Sequence, residues 1–338
     1  MKRISTSCSD CDSVGRRDFL KAVGGAAVAG SIGSGFWTLP GAFAGPSPKS
    51  DAETAVARLY ASLSDEQRKT ICFAFDNPIR QKINANWQIT KPTIGGSFYT
   101  DAQQKLIDEI VRKVTSEDGY ERLMKQMDHD SGGIGSYSVA LFGVPGATAF
   151  EWELTGRHLT LRADGNSVDK AAFGGPIVYG HGEEDPKANL FYYQTKQVNE
   201  VFHALDPKQA ALALVAKAPS EAAVTIQGDA GTFPGIAVSQ LAENQRLLVL
   251  KTIEVLLAPY RKEDADEALE ILKSSGGIEK LHMAFYQQDD LQNDKVWDIW
   301  RVEGPEFVWH FRGAPHVHAY INIGAVAQKP APQATSKS

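Results

Sequence analysis

Two stretches of this chain alternate apolar and polar residues with a period of two. Each is bounded by glycine and proline turns and set between segments whose apolar residues recur at helical spacing. Tyr137 to Phe142, Phe150 to Thr155 and His158 to Leu161 read as strands, and so do Val296 to Val302, Phe307 to Phe311 and His316 to Ile323. Successive side chains on a strand point to opposite faces, so this pattern suits a sheet and cannot be satisfied by a helix. Helical spacing governs Ala52 to Leu63, through Ala55, Val56, Leu59 and Leu63. It returns in Asp101 to Val114, where Thr100 is the expected cap and Leu106, Ile107, Ile110, Val111 and Val114 form the buried stripe. Further helices are expected over Asn189 to Leu205, Asp206 to Lys217, Ser239 to Ala258 and Glu263 to Leu272. Helices gathered around antiparallel strands predict an α+β fold, a single large domain with helices flanking one sheet. No internal repeat of solenoid length is visible.

The N-terminus has the layout of an export leader. A polar stretch reaches Ser13-Val14-Gly15-Arg16-Arg17-Asp18-Phe19-Leu20-Lys21, an apolar run rich in glycine and alanine follows to about Leu39, and Ala42-Phe43-Ala44 offers a cleavage site. The string around Arg16 and Arg17 resembles the twin-arginine motif. The expected organisation is a signal peptide over 1–44, a linker over 45–50, the folded domain over 51–326 and a disordered tail over 327–338. The partner implied is the twin-arginine translocation machinery, and the location implied is periplasmic or secreted. An apolar run this poor in leucine gives too little burial energy for a permanent membrane anchor, at roughly 0.8 kcal/mol per buried CH₂.

Cleavage after Ala44 leaves 294 residues, and since the leader carries five basic and three acidic residues, the formal charge falls from −6 to −8. An acidic body without a basic stripe argues against nucleic acid as a partner. Cys8 and Cys11 go with the leader, which leaves Cys72 alone and makes an internal disulfide impossible. No phosphate-binding glycine loop, nucleophile elbow or zinc-peptidase helix is present.

Histidines are the residues most suited to chemistry. His316 and His318 stand at i and i+2 on an expected strand, so their rings project in parallel from one face, as a chelating pair does. His310 precedes them across Arg312-Gly313-Ala314-Pro315, and it joins the same face only if the hairpin loop has an odd number of residues. His158 opens an expected strand after Gly156-Arg157. Arg301, between Trp300 and Val302, either pairs with a buried carboxylate or holds an anionic substrate group. Glu151 and Glu153 share one face of their strand, as ligands, as a base or as a solvated surface, and His129 and His181 are expected on the surface and in a loop.

The segments Phe150-Glu151-Trp152-Glu153-Leu154-Thr155-Gly156-Arg157-His158, Phe173 to Gly180, Trp300 to Phe307 and His316-Val317-His318 resemble, in order, signatures of the family known as domain of unknown function 3500. Leu63 to Arg68 and Leu241 to Leu250 extend the resemblance over nearly the whole body, and where that family usually carries two consecutive histidines this chain has Arg157-His158. The resemblance implies no reaction. It does imply that His158, Arg301, His316 and His318 are recurring positions.

Three functions remain open. The first is a metalloprotein, including a metal-dependent oxidoreductase, with copper or zinc on His158, His316 and His318 and with His310 as a further ligand. The second is a metal-free hydrolase or lyase with a histidine base and Arg301 as anion holder. The third is a non-catalytic binding protein.

Overall fold

The computed structural model describes residues 45–147, 149–292 and 294–325. The leader and the tail beyond Ala325 lie outside the described residues, together with the expectations attached to them. Eight helices are described: α1 (Asp51–Ser62), α2 (Asp65–Ile71), α3 (Asp101–Val114), α4 (Glu117–Ser131), α5 (Tyr192–His203), α6 (Pro207–Ala213), α7 (Glu243–Leu257) and α8 (Lys262–Ser274). Eleven strands join one sheet: β1 (Cys72–Phe73), β2 (Ser138–Gly143), β3 (Phe150–Gly156), β4 (Leu159–Ala163), β5 (Ile177–His181), β6 (Leu214–Val215), β7 (Ile236–Ala237), β8 (His282–Tyr286), β9 (Ile299–Gly304), β10 (Phe307–Arg312) and β11 (Val317–Ile323). The fold is α+β. None of the described helices is long and apolar enough to cross a membrane.

The sheet runs β1-β2-β3-β4-β5-β11-β10-β9-β8-β6, with β7 beside β8. All ladders are antiparallel except the two at the rims, β1 on β2 and β6 on β8. This order exposes a duplication. Two helices, a short strand, two more helices and a four-strand meander occupy 51–181, and the same succession, with β7 added, occupies 192–323. The registers agree as well. Ser138 opposes Thr155 and His282 opposes Glu303, while two-residue turns, Arg157-His158 and Pro305-Glu306, follow Gly156 and Gly304. The two halves meet along β5 and β11, where Ile177 faces its own counterpart Ile321. At a spacing of about 142 residues the repeat is much longer than a solenoid period, and few side chains betray it in the sequence.

Trp152, Trp300, Trp309, Phe285 and Phe307 point from one face of the sheet into a core shared with the buried stripes of the helices. Full burial of each such side chain contributes roughly 2–3 kcal/mol. The opposite face is polar yet also buried, because irregular segments cover it. Phe75, Ile79, Ile83, Trp87 and Ile89 do so over one half, and Ala218, Val224 and Ile226 over the other. Glu151 and Glu153 lie on this face, and neither is solvated. Glu151 pairs with Arg162 and, at 2.7 Å, with Arg80, while Glu153 lies 3.3 Å from Arg162. Burial pushes the Glu153 carboxyl up to about 8.

Helix starts are set by reciprocal caps. The Gln67 side chain closes the capping box on Ser64 and also exchanges amide bonds with Gln103, which caps Thr100 and bonds the Ser62 carbonyl. In the second half Gln209 and Gln245 repeat the exchange, and Gln245 bonds the Ala204 carbonyl. Replacing Gln103 by Ala leaves the Ser62 carbonyl and part of the Gln67 amide buried without partners. The expected loss is about 1–3 kcal/mol of stability, read from urea unfolding.

Candidate metal centre

His158 is presented by a turn and not by a strand, which corrects the expectation that it opens one. It is the second residue of the two-residue turn between β3 and β4, and its φ is +59°, a left-handed value uncommon for any residue with a side chain. Its N–H donates to the Ala85 carbonyl, and the neighbouring bridge between Asn86 and Arg157 holds the turn against the covering segment. Gly180 makes room beside it, since a Cβ there would lie 2.3 Å from the Val317 carbonyl oxygen and 3.1 Å from the His158 Cβ.

His316 and His318 come from the start of β11, and β11 lies against β5, with Gly180 opposite His318. The seam between the halves therefore carries the pair to the His158 turn. The three rings form a near-equilateral triangle, with centroids 5.1 Å apart for His158 and His316, 4.8 Å for His158 and His318, and 4.8 Å for His316 and His318. One ring nitrogen from each lies within 4.8 Å of the others. His316 Nε2 and His318 Nε2 are 3.1 Å apart. Ligands about 2.0–2.1 Å from a tetrahedral ion stand roughly 3.3 Å from each other, so this spacing suits two nitrogens on one ion.

Two of the rings are oriented from behind by carboxylates. His158 Nδ1 lies 2.7 Å from Asp130 Oδ2, and His318 Nδ1 lies 3.1 and 3.2 Å from the two oxygens of Glu221. An Nδ1–H donated to a carboxylate fixes the tautomer that leaves Nε2 with a free lone pair, the arrangement usual for metal-bound histidine. Asp130, near the end of α4, also accepts from Gln126 Nε2 and the Gly182 N–H. Burial alone would raise its carboxyl, but these bonds, led by that to His158, hold it well below the usual range. Glu221 is likewise lowered: burial opposes the shift, and the hydrogen bond to His318, with the attraction of that ring when protonated and of Arg312, outweighs it. Burial, followed by the nearby His318 and His158 rings, lowers His316 to about 4, and burial lowers His318, so neutral imidazole prevails at pH 7 at both.

Other expected residues lie outside the triangle. The hairpin pairs Arg312 with His318 across five residues, an odd number, so His310 does share the face of His318. It stands one step further along the sheet, opposite Tyr320 and Arg301, 1 % exposed, and burial together with Arg301 lowers its ring to about 3. Arg301 is buried too, with Nε and Nη2 on the Glu303 carboxylate and Nη2 on the Ala223 carbonyl. That is the carboxylate-paired alternative of the two the sequence left open.

Asp130 and Glu221 were not legible in the sequence, since they lie 28 and 97 positions from the histidines they hold and sit in unremarkable polar runs. His181 was expected in a loop, but it ends β5 and is 4 % exposed. With His129 and Asp130 it forms a second group of suitable atoms. Its Nδ1, however, accepts the Leu190 N–H at 3.2 Å, which places the neutral ring's proton on Nε2 and removes that atom as a ligand.

Fold and site together define a class, an internally duplicated α+β protein with a three-imidazole cluster at one end of the seam between its halves. The chain belongs to the family described as protein of unknown function DUF3500, which matches residues 46–324. No curated protein and no solved structure matches the chain.

The strained turn allows the imidazole to be removed without confusing loss of a ligand with loss of the fold. Asn tolerates the left-handed region and Ala does not. His158→Asn is expected to fold but to lose about 1–3 kcal/mol against the parent measured without metal, because Asp130 loses its bond to the ring, and His158→Ala to be about 1 kcal/mol less stable still, both read by thermal and urea unfolding.

Proposed function

We propose that this is an exported protein that holds one copper or zinc ion on His158, His316 and His318 and offers the remaining coordination position to a small ligand. The observation that carries the reading is the convergence of three imidazoles, two of them braced at Nδ1 by Asp130 and Glu221. Imidazole suits zinc and copper alike, and neutral rings need lose no proton to bind. Three protein ligands with an open fourth position are the pattern of catalytic metal sites, whereas structural zinc takes four. A bound ion would supply Lewis acidity or, as copper, electron transfer. Asp130 and Glu221 would hold His158 and His318 in the ligating tautomer, and the covering segments around Ala85 and Glu221 would keep bulk water from all but the half-exposed His316 side. The chemistry proposed is therefore metal-dependent, with oxidoreduction as the leading class.

Protein isolated after export by its own route is expected to contain close to one equivalent of copper or zinc by inductively coupled plasma mass spectrometry. His316→Ala and His318→Ala should remove it while circular dichroism stays unchanged, and Asp130→Asn should weaken binding about 10–100-fold. Unchanged metal content in the two alanine variants refutes the site.

Export is supported by Arg16-Arg17 before an apolar run and by Ala42-Phe43-Ala44. Mass spectrometry of the periplasmic fraction should find a chain beginning at Gly45. The double change Arg16→Lys, Arg17→Lys should leave the precursor in the cytoplasm, and unimpaired export of that variant overturns the assignment.

A further inference from the structure

Gly45 and Pro46, read from sequence as part of a linker, lie against the folded body, while Ser47 and Pro48 are exposed. Pro46 is buried, Pro48 lies against Gly165 in the turn after β4, where a Cβ would come within 3.0 Å of it, and Gly45 rests on Glu267 of α8, with all three of the latter's Cβ, Cγ and Cδ within 3.7 Å of a Cβ built on Gly45. The surroundings carry an imbalance of charge. Arg261 holds Glu53 through two bonds of 2.9 and 2.7 Å and Asp264 at 2.9 and 3.1 Å. Asp164 and Asp169 from the turn after β4 also act on Glu267, so the carboxylates outnumber the one guanidinium that faces them. Glu267 is 9 % exposed, and its buried Oε2 has no hydrogen-bond partner. A buried carboxyl oxygen without a partner beside the carboxylates of Asp164, Asp264 and Asp169 must either keep a proton or gain a cation.

We propose that the α-ammonium group created at Gly45 when the leader is removed docks on Glu267, so that cleavage itself supplies a cation to the carboxylate that lacks a partner and fastens the new terminus to α8. The inference rests on cleavage after Ala44. Hydrolysis of the Ala44–Gly45 bond by a signal peptidase consumes one water, leaves a carboxylate on Ala44 and an amine on Gly45, and that amine takes up a proton at neutral pH. Its nitrogen is two bonds from the point where a Cβ on Gly45 would touch the Glu267 side chain. Until cleavage, the same nitrogen is an uncharged amide.

The sign of one substitution separates the two states. In the uncleaved chain burial, then Asp164 and Asp264, push Glu267 up to about 8, above its unfolded value. Its stabilising contribution is then complete below about pH 4 and lost as the pH rises towards 8. Glu267→Gln should therefore raise the Tm of the precursor at pH 8 and leave it unchanged near pH 4. In the cleaved protein, where the carboxylate is paired with the ammonium, the same substitution should lower the Tm at pH 7. The precursor is obtained with Arg16→Lys and Arg17→Lys, and the cleaved form from export of the full chain.

Competitive labelling across pH, read on the N-terminal peptide by mass spectrometry, gives the amine's pKa directly. It should lie about one unit above the ordinary range of about 7.7–8.0, and return to that range in Glu267→Gln. Insertion of one Ser after Ala44 shifts the amine by about 3.5 Å along the chain with every carboxylate intact, and should also return it there. A chain that begins at Gly45 with an ordinary amine pKa overturns the docking and leaves the cleavage reading standing. A chain that begins elsewhere overturns the cleavage reading and the docking with it.

Discussion

The antiparallel ladder between β5 and β11 is the interaction on which the rest of the molecule depends. Each half brings its own helices and its own meander, and only this ladder turns two four-strand meanders into one continuous sheet. It also decides what lies near what. The His158 turn belongs to the first half and the His316–His318 pair to the second, and they meet because Gly180 of β5 stands opposite His318 of β11. A slip of one residue at this seam would turn His318 to the helical face and dissolve the triangle. The bulky apolar partners beside it, Ile177 with Ile321 and Tyr179 with Ala319, oppose such a slip by the cost of exposing them to the polar face.

That polar face explains the character of the site. A sheet face rich in Glu, Arg and His would ordinarily be wet, but here two irregular segments shield it, and every charge beneath them has to be answered in place. Arg80, Arg162, Glu151 and Glu153 answer one another in the first half, as do Arg301 and Glu303 in the second. At the seam the groups are histidines with carboxylates behind them, a combination that stays neutral or singly charged in a partly desolvated space and so is cheaper to bury than a naked ion pair.

Much of the fold was legible from residues alone. Thr100 and the stripe Ile107, Ile110, Val111 and Val114 gave α3 its observed bounds, and the alternations around Trp152, Trp300 and Trp309 marked strands because only one face of each meets the helical core. Three things were hidden. Strand order depends on pairing between segments more than a hundred residues apart. The duplication survives in register and caps but in few identical side chains, Trp152 with Trp300 and Gln67 with Gln209 among them. At the site, His316 and His318 announced themselves by spacing, whereas Asp130 and Glu221 act through space, and His158 reached its place through a left-handed turn that alternation took for the start of a strand.

The seam has the geometry of a symmetric dimer interface. Ile177 opposes its own equivalent, so a single half would present an edge complementary to a copy of itself, as isologous interfaces do. In this chain the two halves are tied covalently, and the tie lifts the requirement that both ends of the interface be identical. At one end stand His158, His316 and His318. At the other, Glu306 occupies the position of His158, Ala172 and Gly174 those of the histidine pair, and a cleft of about 450 Å³ opens beside Gly174, Asn322 and Gly324. A true homodimer would carry the same residues at both ends, whereas one continuous chain can hold imidazoles at one and leave space at the other.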